Sequence, residues 1–365
     1  MPDLQPLHAV SRRHLDGLSD HVGIMQHARG SRPDPAHGYC TDDVARALQV
    51  DLLHQRELGW DAIATSAWRN YGFLEAAFRP PTGRFRNFRA ADGTWLDDGG
   101  SDDAQGRAML ALGETIDGAA DPALVRSAER LFAAALPAAR ELGAIRAQAS
   151  VLLACDAAMR TAPARATSLA RGILAERLES TFRSRPASDW PWPEPRLTYE
   201  NALPARAMLV AGRSLASQPL IDAGLEVLDW LIVCQTASAG HLSPIGNAWW
   251  SRGGAKSSFD QQPIEATALL LAAAAAYEIA EEQKYRSAAE RSYAWFLGAN
   301  DAGLSVADPG QGACYDGLTP RGVNTNQGAE STLMWLIALE SIRALRHRRR
   351  PNPRPSDEAL ATMTP

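Results

Sequence analysis

A phrase repeated six times constrains the fold of this 365-residue chain more than any single motif does. Each copy is a short polar or acidic cluster that leads directly into a run of Ala, Leu, Met and Val. Short polar side chains accept hydrogen bonds from the free N–H groups at a helix start, so each cluster predicts a helix N-terminus. The clusters are Thr41-Asp42-Asp43, Ser101-Asp102-Asp103, Arg146-Ala147-Gln148, Tyr199-Glu200-Asn201, Asp260-Gln261-Gln262 and Asn326-Gln327-Gly328. The third is the weakest, because only a lone glutamine supports it.

A second set of segments, more charged and more amphipathic, lies between these starts and predicts outer helices. They span residues 7–28, 61–78, 122–139, 164–183, 219–235 and 283–299. The inner starts recur roughly every 45 to 65 residues, a period typical of helical-hairpin repeats. We therefore predict an all-α fold, an (α/α)6 barrel whose six parallel inner helices begin at one mouth inside six outer helices. An open solenoid fits the same pattern, and residues 83–95 predict a short hairpin in a connecting loop.

Bulk composition narrows the function. With 37 basic and 42 acidic residues and no basic stripe, the chain offers no footprint for nucleic acid. No apolar stretch reaches the roughly 20 residues that span a bilayer, and the N-terminus lacks a secretory layout, which predicts a cytoplasmic protein with the periplasm as the alternative. The four cysteines lack metal-ligand spacing, so we expect neither a metal nor a cofactor. The even repeat predicts one domain over residues 1–345, and the Arg- and Pro-rich residues 346–365 predict a disordered tail.

Five of the ten tryptophans fall in the long loops that would form the rim of the mouth. They are Trp95, Trp190, Trp192, Trp249 and Trp250. An indole face among carboxylates, amides and arginines is a composition suited to a sugar ring, whose C–H face stacks while its hydroxyls bind polar groups. The alternative is that these tryptophans only pin their loops to the barrel.

Paired carboxylates are the chemical basis of the functional hypothesis. Glycoside hydrolysis needs one protonated carboxylic acid and one carboxylate that activates water or attacks the sugar. We expect one acid of each Asp-Asp pair to cap its helix and the other to face the mouth. The predicted catalytic residues are Asp43, Asp103, Glu265 and Asp102. A wide mouth favours inversion, for which the two carboxyl groups lie roughly 6.5 to 9.5 Å apart.

Helical spacing supplies further candidates for the mouth. Arg46 follows Asp42 by one turn and Arg107 follows Asp103 by one turn, which predicts two acid–arginine pairs. A glutamate one turn below a helix start, buried in apolar surroundings, would have the raised pKa that a general acid needs. Besides the five tryptophans, the predicted substrate-binding residues are His37, Tyr39, Asp42, Arg46, Arg107, Glu194, Tyr199, Asn201, Asp260, Gln261, Gln262, Asn326, Gln327 and Glu330.

Other chemistries are compatible with parts of this set. His37, Tyr39, Tyr199 and His241 could serve as bases, so a sugar epimerase or a lyase on the same fold stays open. The run DDGGSDD invites comparison with terpene cyclases, but loops crowded with Asn, Gln, Ser, Arg and Asp would not shelter a carbocation. No phosphate-binding glycine loop follows a predicted strand.

Six phrases of the chain together resemble a bacterial family of six-fold α/α-barrel, carbohydrate-active proteins. They lie at residues 37–48, 100–113, 189–209, 259–266, 295–304 and 322–336, and the resemblance covers residues 16–343. Members are often labelled glycosyltransferase or glycosidase. The resemblance implies a carbohydrate substrate and, more remotely, a sugar-nucleotide transferase encoded nearby as a partner. This chain shows no doubly wound sugar-nucleotide domain, so the transferase label fits a neighbouring module better.

The sequence hypothesis is a glycoside hydrolase acting on an oligosaccharide with paired carboxylates, most simply with inversion. The alternatives are a non-catalytic glycan-binding module that serves a glycosyltransferase, and the epimerase or lyase on the same fold.

Overall fold

The computed structural model describes residues 4–184 and 189–348. Helices dominate this part of the chain, and the bounds of the six inner helices agree with the predicted starts to within a few residues. The helices are α1 Arg13–Leu18, α2 Thr41–Leu58, α3 Trp60–Ala77, α4 Asp102–Gly118, α5 Pro122–Ala139, α6 Ile145–Thr161, α7 Arg165–Arg183, α8 Leu203–Ser214, α9 Gln218–Cys234, α10 Pro263–Ala280, α11 Gln283–Phe296 and α12 Ala329–His347.

The even-numbered helices form a closed inner ring. Each packs on the next, from α2 through α4, α6, α8 and α10 to α12, and α12 then packs on α2. The odd-numbered helices lie outside, each against an inner neighbour. Closure excludes the open solenoid and confirms the predicted all-α (α/α)6 barrel.

The first outer helix is much shorter than predicted. The sequence pattern indicated a helix over residues 7–28, but only Arg13–Leu18 is helical. Beyond it the backbone is extended: Ser19 bridges Ile24, and Met25 bridges Tyr39. The carboxylate of Asp20 accepts hydrogen bonds from the N–H groups of residues 22 and 23, which fixes a turn where the helix would have continued.

The connecting loops contain short antiparallel strands of two residues each. These are β1 Ala28–Arg29, β2 Arg32–Pro33, β3 Tyr39–Cys40, β4 Phe78–Arg79, β5 Arg84–Phe85, β6 Phe88–Arg89, β7 Arg196–Leu197, β8 Trp250–Ser251, β9 Ala307–Asp308, β10 Ala313–Cys314, β11 Leu318–Thr319 and β12 Gly322–Val323. They pair as β1–β2, β3–β6, β4–β5, β7–β8, β9–β10 and β11–β12. In the hairpin predicted over residues 83–95, Arg89 bridges Trp95. The pairing of β3 with β6 joins two rim loops that are far apart in sequence.

The acidic helix starts are capped differently from the prediction. The cap of α4 is Ser101, whose side chain accepts from the N–H of Ala104 at 3.0 Å. In α2 the preceding residue is Cys40, which makes no side-chain cap. Both acids of each Asp-Asp pair lie inside the first turn, where the helix dipole favours negative charge. The expectation that one acid of each pair is the cap is wrong.

Close packing of the inner helices depends on glycine. A Cβ placed on Gly113 of α4 would lie 2.4 Å from the carbonyl oxygen of Ala154 on α6. Such a contact is far inside van der Waals distance, so no larger side chain fits without moving the helices apart. Gly72 on the outer helix α3 has open space at the same position.

The predicted boundary between barrel and tail, at residue 345, falls inside the last helix. Arg346 belongs to the last turn of α12 and lies 2.5 Å from Glu290, so the helix continues past residue 345. Residues 349–365 lie outside the described part of the chain.

Among the described helices, α10 alone is long and apolar enough to cross a bilayer by composition, and 67% of that stretch is buried inside the barrel.

Candidate active site

A cavity of about 390 Å³ lies at the end of the barrel where the inner helices begin. We call it the mouth cavity. Its lining includes Gln26, His27, Cys40, Asp42, Asp43, Arg46, Asn87, Gln262, Asp316, Glu330 and Ser331. These residues come from the starts of α2, α10 and α12 and from connecting loops. Three of the six predicted polar helix starts therefore line this one cavity.

Arg46 connects the first and the last inner helix. One terminal nitrogen of its guanidinium lies 3.1 Å from the carboxylate of Asp43, and the other lies 3.0 Å from Glu330. Asp43 is buried, whereas the side chain of Glu330 is 41% exposed. The two carboxyl groups are therefore held on either side of one guanidinium, one in the wall and one open to the cavity.

Arg107 makes a second cluster beside the first. It lies 2.7 Å from Glu200 and 3.8 Å from Asp42. The backbone of Glu200 has a φ of +48°, a left-handed conformation that costs free energy in a residue with a Cβ. The predicted one-turn pairs, Arg46 with Asp42 and Arg107 with Asp103, are wrong. Arg46 pairs with Asp43 on its own helix and with Glu330 on α12, and Arg107 pairs with Glu200 and lies near Asp42 on other elements.

Burial and arginine set the charge states of these acids. Burial raises the pKa of Asp43 to about 7, with Glu330 adding to the rise and Arg46 opposing it. Burial also raises the pKa of Asp42, against the effect of Arg107. Burial alone would raise the pKa of Glu200, but Arg107 and Arg46 bring it below its ordinary value. Asp43, a carboxyl group that holds its proton near neutrality, thus lies close to Glu200, whose pKa is lowered.

Buried polar atoms without partners lie at and beside the mouth cavity. Oδ1 of Asp42 and the Nε atoms of Arg46 and Arg107 are buried and have no hydrogen-bond partner among the described residues. Buried polar groups are nearly always paired, so each such atom points to a water or a ligand group that completes it.

Glu265 lies in a layer behind this lining. It is buried, and its two oxygens accept from the backbone N–H of Asn201 at 3.3 Å and from Nδ2 of the same residue at 3.0 Å. Burial raises the pKa of Glu265 to about 7, while the bonds from Asn201 lower it. Asn201 in turn accepts from Arg146 at 3.0 Å, and Arg146 lies 3.0 Å from Glu194. The structure thus places Glu265, Asn201 and Glu194 in one supporting network.

Asp102 and Asp103, adjacent in sequence, have separate surroundings. Asp102 accepts from the N–H groups of residues 143 and 144 at 3.0 and 3.1 Å and lies 3.1 Å from Arg84. It therefore fastens the loop before α6 and lies apart from the mouth cavity. Asp103 accepts a hydrogen bond from the hydroxyl of Tyr199 and does not line the mouth cavity either.

Most of the rim aromatics are loop anchors. Trp190 and Trp192 are buried, and Trp250 packs against Trp230 and Trp190. Trp95 contacts Phe73 and lies under the guanidinium of Arg86 at 4.5 Å. Tyr39 is also buried, with its hydroxyl donating to Asp20 at 2.5 Å.

Trp249 is different from these anchors. Its φ is +67°, and 38% of the residue is exposed, with Arg196 over its ring at 5.4 Å. Strained backbone that presents an exposed indole is compatible with a contact surface for a ligand.

The remaining predicted residues divide between lining and scaffold. Gln262 lines the mouth cavity. Gln261 is buried and bonds Trp295 and Asp301, while Asn326 accepts from the N–H of Gly30 at 3.0 Å. Gln327 is buried, and His37 and Asp260 are exposed on rim loops. In the described residues, no group of three His, Cys, Asp or Glu side chains is placed to hold a metal ion.

Two residues that line the mouth cavity, His27 and Asp316, are not among the predicted site residues. His27 lies 4.5 Å from His37, ring to ring, and burial together with His37 lowers its pKa. Asp316 accepts from the N–H of Gly328 at 2.8 Å, and burial raises its pKa. The sequence did not indicate His27 as a site residue because its segment fits a helical pattern. The backbone there is extended instead, and this places His27 at the mouth.

The fold and this cluster together define an (α/α)6-barrel protein with an acid- and arginine-lined mouth. The solved structures that it resembles include proteins named as sugar epimerases, sugar isomerases and glycoside hydrolases. They include cellobiose 2-epimerase from Bacillus thermoamylovorans, with a TM-score of 0.72, 12% identity and coverage of 93% of this chain and 96% of that chain. A D-mannose isomerase matches with a TM-score of 0.68 and 10% identity, over 91% of this chain and 96% of that chain. A GH76 alpha-mannanase from Bacteroides thetaiotaomicron matches with a TM-score of 0.60 and 8% identity, over 85% of this chain and 88% of that chain. No family model and no curated protein matches the sequence. At these identities the likeness establishes the barrel.

Proposed function

We propose that the chain is a carbohydrate-active enzyme and, more specifically, a glycoside hydrolase that works at the mouth cavity. The observation that carries the proposal is the arrangement of Asp43 and Glu330 on the two sides of Arg46. One is a buried carboxyl group that holds its proton near neutrality, and the other is an open carboxylate beside a cation. Hydrolysis of a glycosidic bond requires that combination.

In the proposed reaction Asp43 gives its proton to the glycosidic oxygen as the bond from that oxygen to the anomeric carbon breaks. Glu330 accepts a proton from the water that attacks the same carbon, so a new hydroxyl replaces the leaving sugar. Arg46 contacts both groups and fixes their spacing. This proposal exchanges the predicted partner Asp103 for Glu330, because Glu330 lines the mouth cavity and Asp103 does not.

The test uses Asp43→Asn and Glu330→Gln with a panel of oligosaccharides and a reducing-end assay. We expect each change to lower kcat by at least about 100-fold, the usual worth of a general acid or base. Asp51→Asn is the matched control, because Asp51 is another buried acid of α2 whose partners are Arg12, Ser66 and Asn70. Full activity in either mouth variant would refute the assignment. Glycan binding with no turnover of any substrate would favour the glycan-binding module.

A sugar epimerase or isomerase is the second candidate, and His27 is the observation that favours it. His27 lines the mouth cavity, and its lowered pKa keeps the imidazole neutral and able to take a proton from carbon. Such a reaction in D2O places deuterium on a sugar carbon, whereas hydrolysis does not. Carbon-bound deuterium seen by NMR, and lost in His27→Gln, would establish this candidate over the hydrolase.

A further inference from the structure

A second cavity, of about 190 Å³, lies inside the barrel behind the floor of the mouth cavity. We call it the rear cavity. It shares Arg46 with the mouth cavity, and Arg107 and Glu200 also line its inner end. At its other end it is lined by Arg56, Gly118 and Arg160, which are exposed at the C-terminal ends of inner helices. The rear cavity therefore opens on the face of the barrel opposite the mouth.

Arg206 lines this cavity and is held by a single long ion pair. Most charges around it are paired: Arg46 and Arg107 bind carboxylates of the mouth, and Arg160 lies 2.6 Å from Asp117. Arg206 has one ion pair, with Glu114 at 4.0 Å, and the charges of Glu200 and Glu278 act on it from further away. It donates no hydrogen bond to any residue that the structure describes. Its side chain is 21% exposed, and a guanidinium carries five N–H donors.

Glu114 is itself partly satisfied by another residue, because Gln49 donates to its carboxylate at 2.8 Å. Burial without full compensation lowers the pKa of Arg206. Two more guanidinium donors lack an acceptor, Nε of Arg46 and Nε of Arg107, and these residues are only 2% and 7% exposed. Three guanidinium groups with unused donors thus line one cavity.

We propose that the rear cavity binds a small oxyanion, a phosphate ion or the phosphate group of a small metabolite, with Arg206 as its main ligand. The planar fork of arginine matches two oxygens of such an anion. Arg206 is the fourth residue of α8, so it lies near the helix end whose dipole favours negative charge. A volume of about 190 Å³ exceeds many-fold the roughly 10–15 Å³ that one water requires.

The test measures the melting temperature of the full chain and its heat of binding with inorganic phosphate, against sodium chloride at equal ionic strength. A ligand of the folded state raises the melting temperature. We expect phosphate to raise it by several degrees in the wild type and in Arg213→Gln but not in Arg206→Gln. Arg213 is the matched control, since it lies on the same helix, is exposed and pairs with Glu278. Equal shifts in all three proteins, or no shift in the wild type, would overturn the proposal.

Glucose 6-phosphate forms a second arm of the same experiment. A larger shift than with inorganic phosphate identifies a phosphorylated metabolite as the source, and an equal or smaller shift identifies the free ion. Arg206→Met guards against poor folding of Arg206→Gln. Without phosphate it should melt close to the wild type, because the ion pair from Arg206 to Glu114 is long and partly exposed and Gln49 still binds Glu114. A large drop for Arg206→Met would show that Arg206 is a structural partner and would refute the site. These readouts do not involve catalysis, so their failure leaves the proposed hydrolase untouched.

Discussion

The hydroxyl of Tyr199 donates a hydrogen bond to the carboxylate of Asp103 and so joins the start of α4 to the loop before α8. Arg146 lies over the ring of Tyr199 at 4.7 Å, which holds the phenol in place. Asp103 is therefore fixed by the scaffold beside the mouth, while Glu330 is fixed by Arg46 within it.

Tyr199→Phe keeps the ring and removes only this hydrogen bond. We expect a loss of roughly 1.5–3 kcal/mol in the free energy of unfolding, the usual worth of a bond to a charged group. Urea denaturation measures this change. Because Asp103 does not line the mouth cavity, kcat should fall far less than in Glu330→Gln. A loss of activity as deep as that of Glu330→Gln would return Asp103 to the catalytic pair.

Asp43 gives the fold and the reaction a shared pH dependence. Its pKa is about 7 in the folded chain against about 4 in an unfolded one, so the folded state binds more protons between these values. The stabilisation that protonated Asp43 contributes is therefore fully present below pH 4 and is lost as the pH rises to about 7. Over this range the free energy of unfolding falls by up to roughly 1.4 kcal/mol per pH unit.

Asp43→Asn removes this titration. Urea denaturation of both proteins between pH 4 and 8 should show the variant gaining on the wild type as the pH rises. The kcat of the wild type should fall above about pH 7, where Asp43 loses its proton. Stability curves that stay parallel across this range would contradict the assigned pKa.

Arg46 contacts two carboxyl groups from opposite ends of the chain. Arg46→Met leaves both without it, and breaking a buried ion pair in this way costs roughly 3–5 kcal/mol. Arg46→Lys should cost less, because an ammonium keeps the charge but lacks the two-pronged shape that contacts both groups. Chemical denaturation checks the order. Arg213→Met, at an exposed site, should be nearly neutral, and equal losses for Arg46→Met and Arg213→Met would refute this view of Arg46.

Gly113→Ala tests the close packing of α4 on α6. The added methyl would meet the carbonyl oxygen of Ala154 at 2.4 Å, so we expect a loss of about 1–3 kcal/mol, the usual range for overpacking. Gly72→Ala is the control, because its Cβ meets nothing within 4 Å on an exposed helix face. It should stabilise the chain by up to about 1 kcal/mol. Melting temperatures that move in the same direction for the two variants would contradict this packing.

Trp249 and Trp250, neighbours in one loop, should respond in opposite ways to truncation. Trp249→Ala removes an exposed indole, so we expect an unchanged melting temperature and a KM for long oligosaccharides raised by about tenfold, equivalent to 1.4 kcal/mol. Trp250→Ala removes a ring packed on Trp230 and Trp190 and should lower the melting temperature. If KM stays constant for every chain length in Trp249→Ala, the loop does not contact the glycan.

The barrel was predictable because its signals are local. The start of each inner helix depends on a few polar residues and on the Ala- and Leu-rich run that follows, and the six runs were long enough to fix the alternation. The one outer segment that failed, residues 7–28, is opened by the turn at Asp20 and by the bridge from Met25 to Tyr39. These are interactions with another loop, which a helical pattern does not contain.

The partners within the mouth were harder to foresee. Spacing along one helix suggested Arg46 with Asp42, but the closed ring brings Glu330 within 3.0 Å of Arg46. The rim tryptophans look alike in sequence, and only their packing separates the buried Trp192 from the exposed Trp249. Residue types thus indicated the chemistry of the mouth, whereas the geometry of the ring decided which side chains share it.

The contact between α12 and α2 also makes the mouth depend on the last helix of the barrel. Arg46 lies on the first inner helix and Glu330 on the last, so a chain that ends before α12 contains only one side of the cluster. The proposed reaction uses both sides, so it requires the complete ring and not only the helix that carries Arg46 and Asp43.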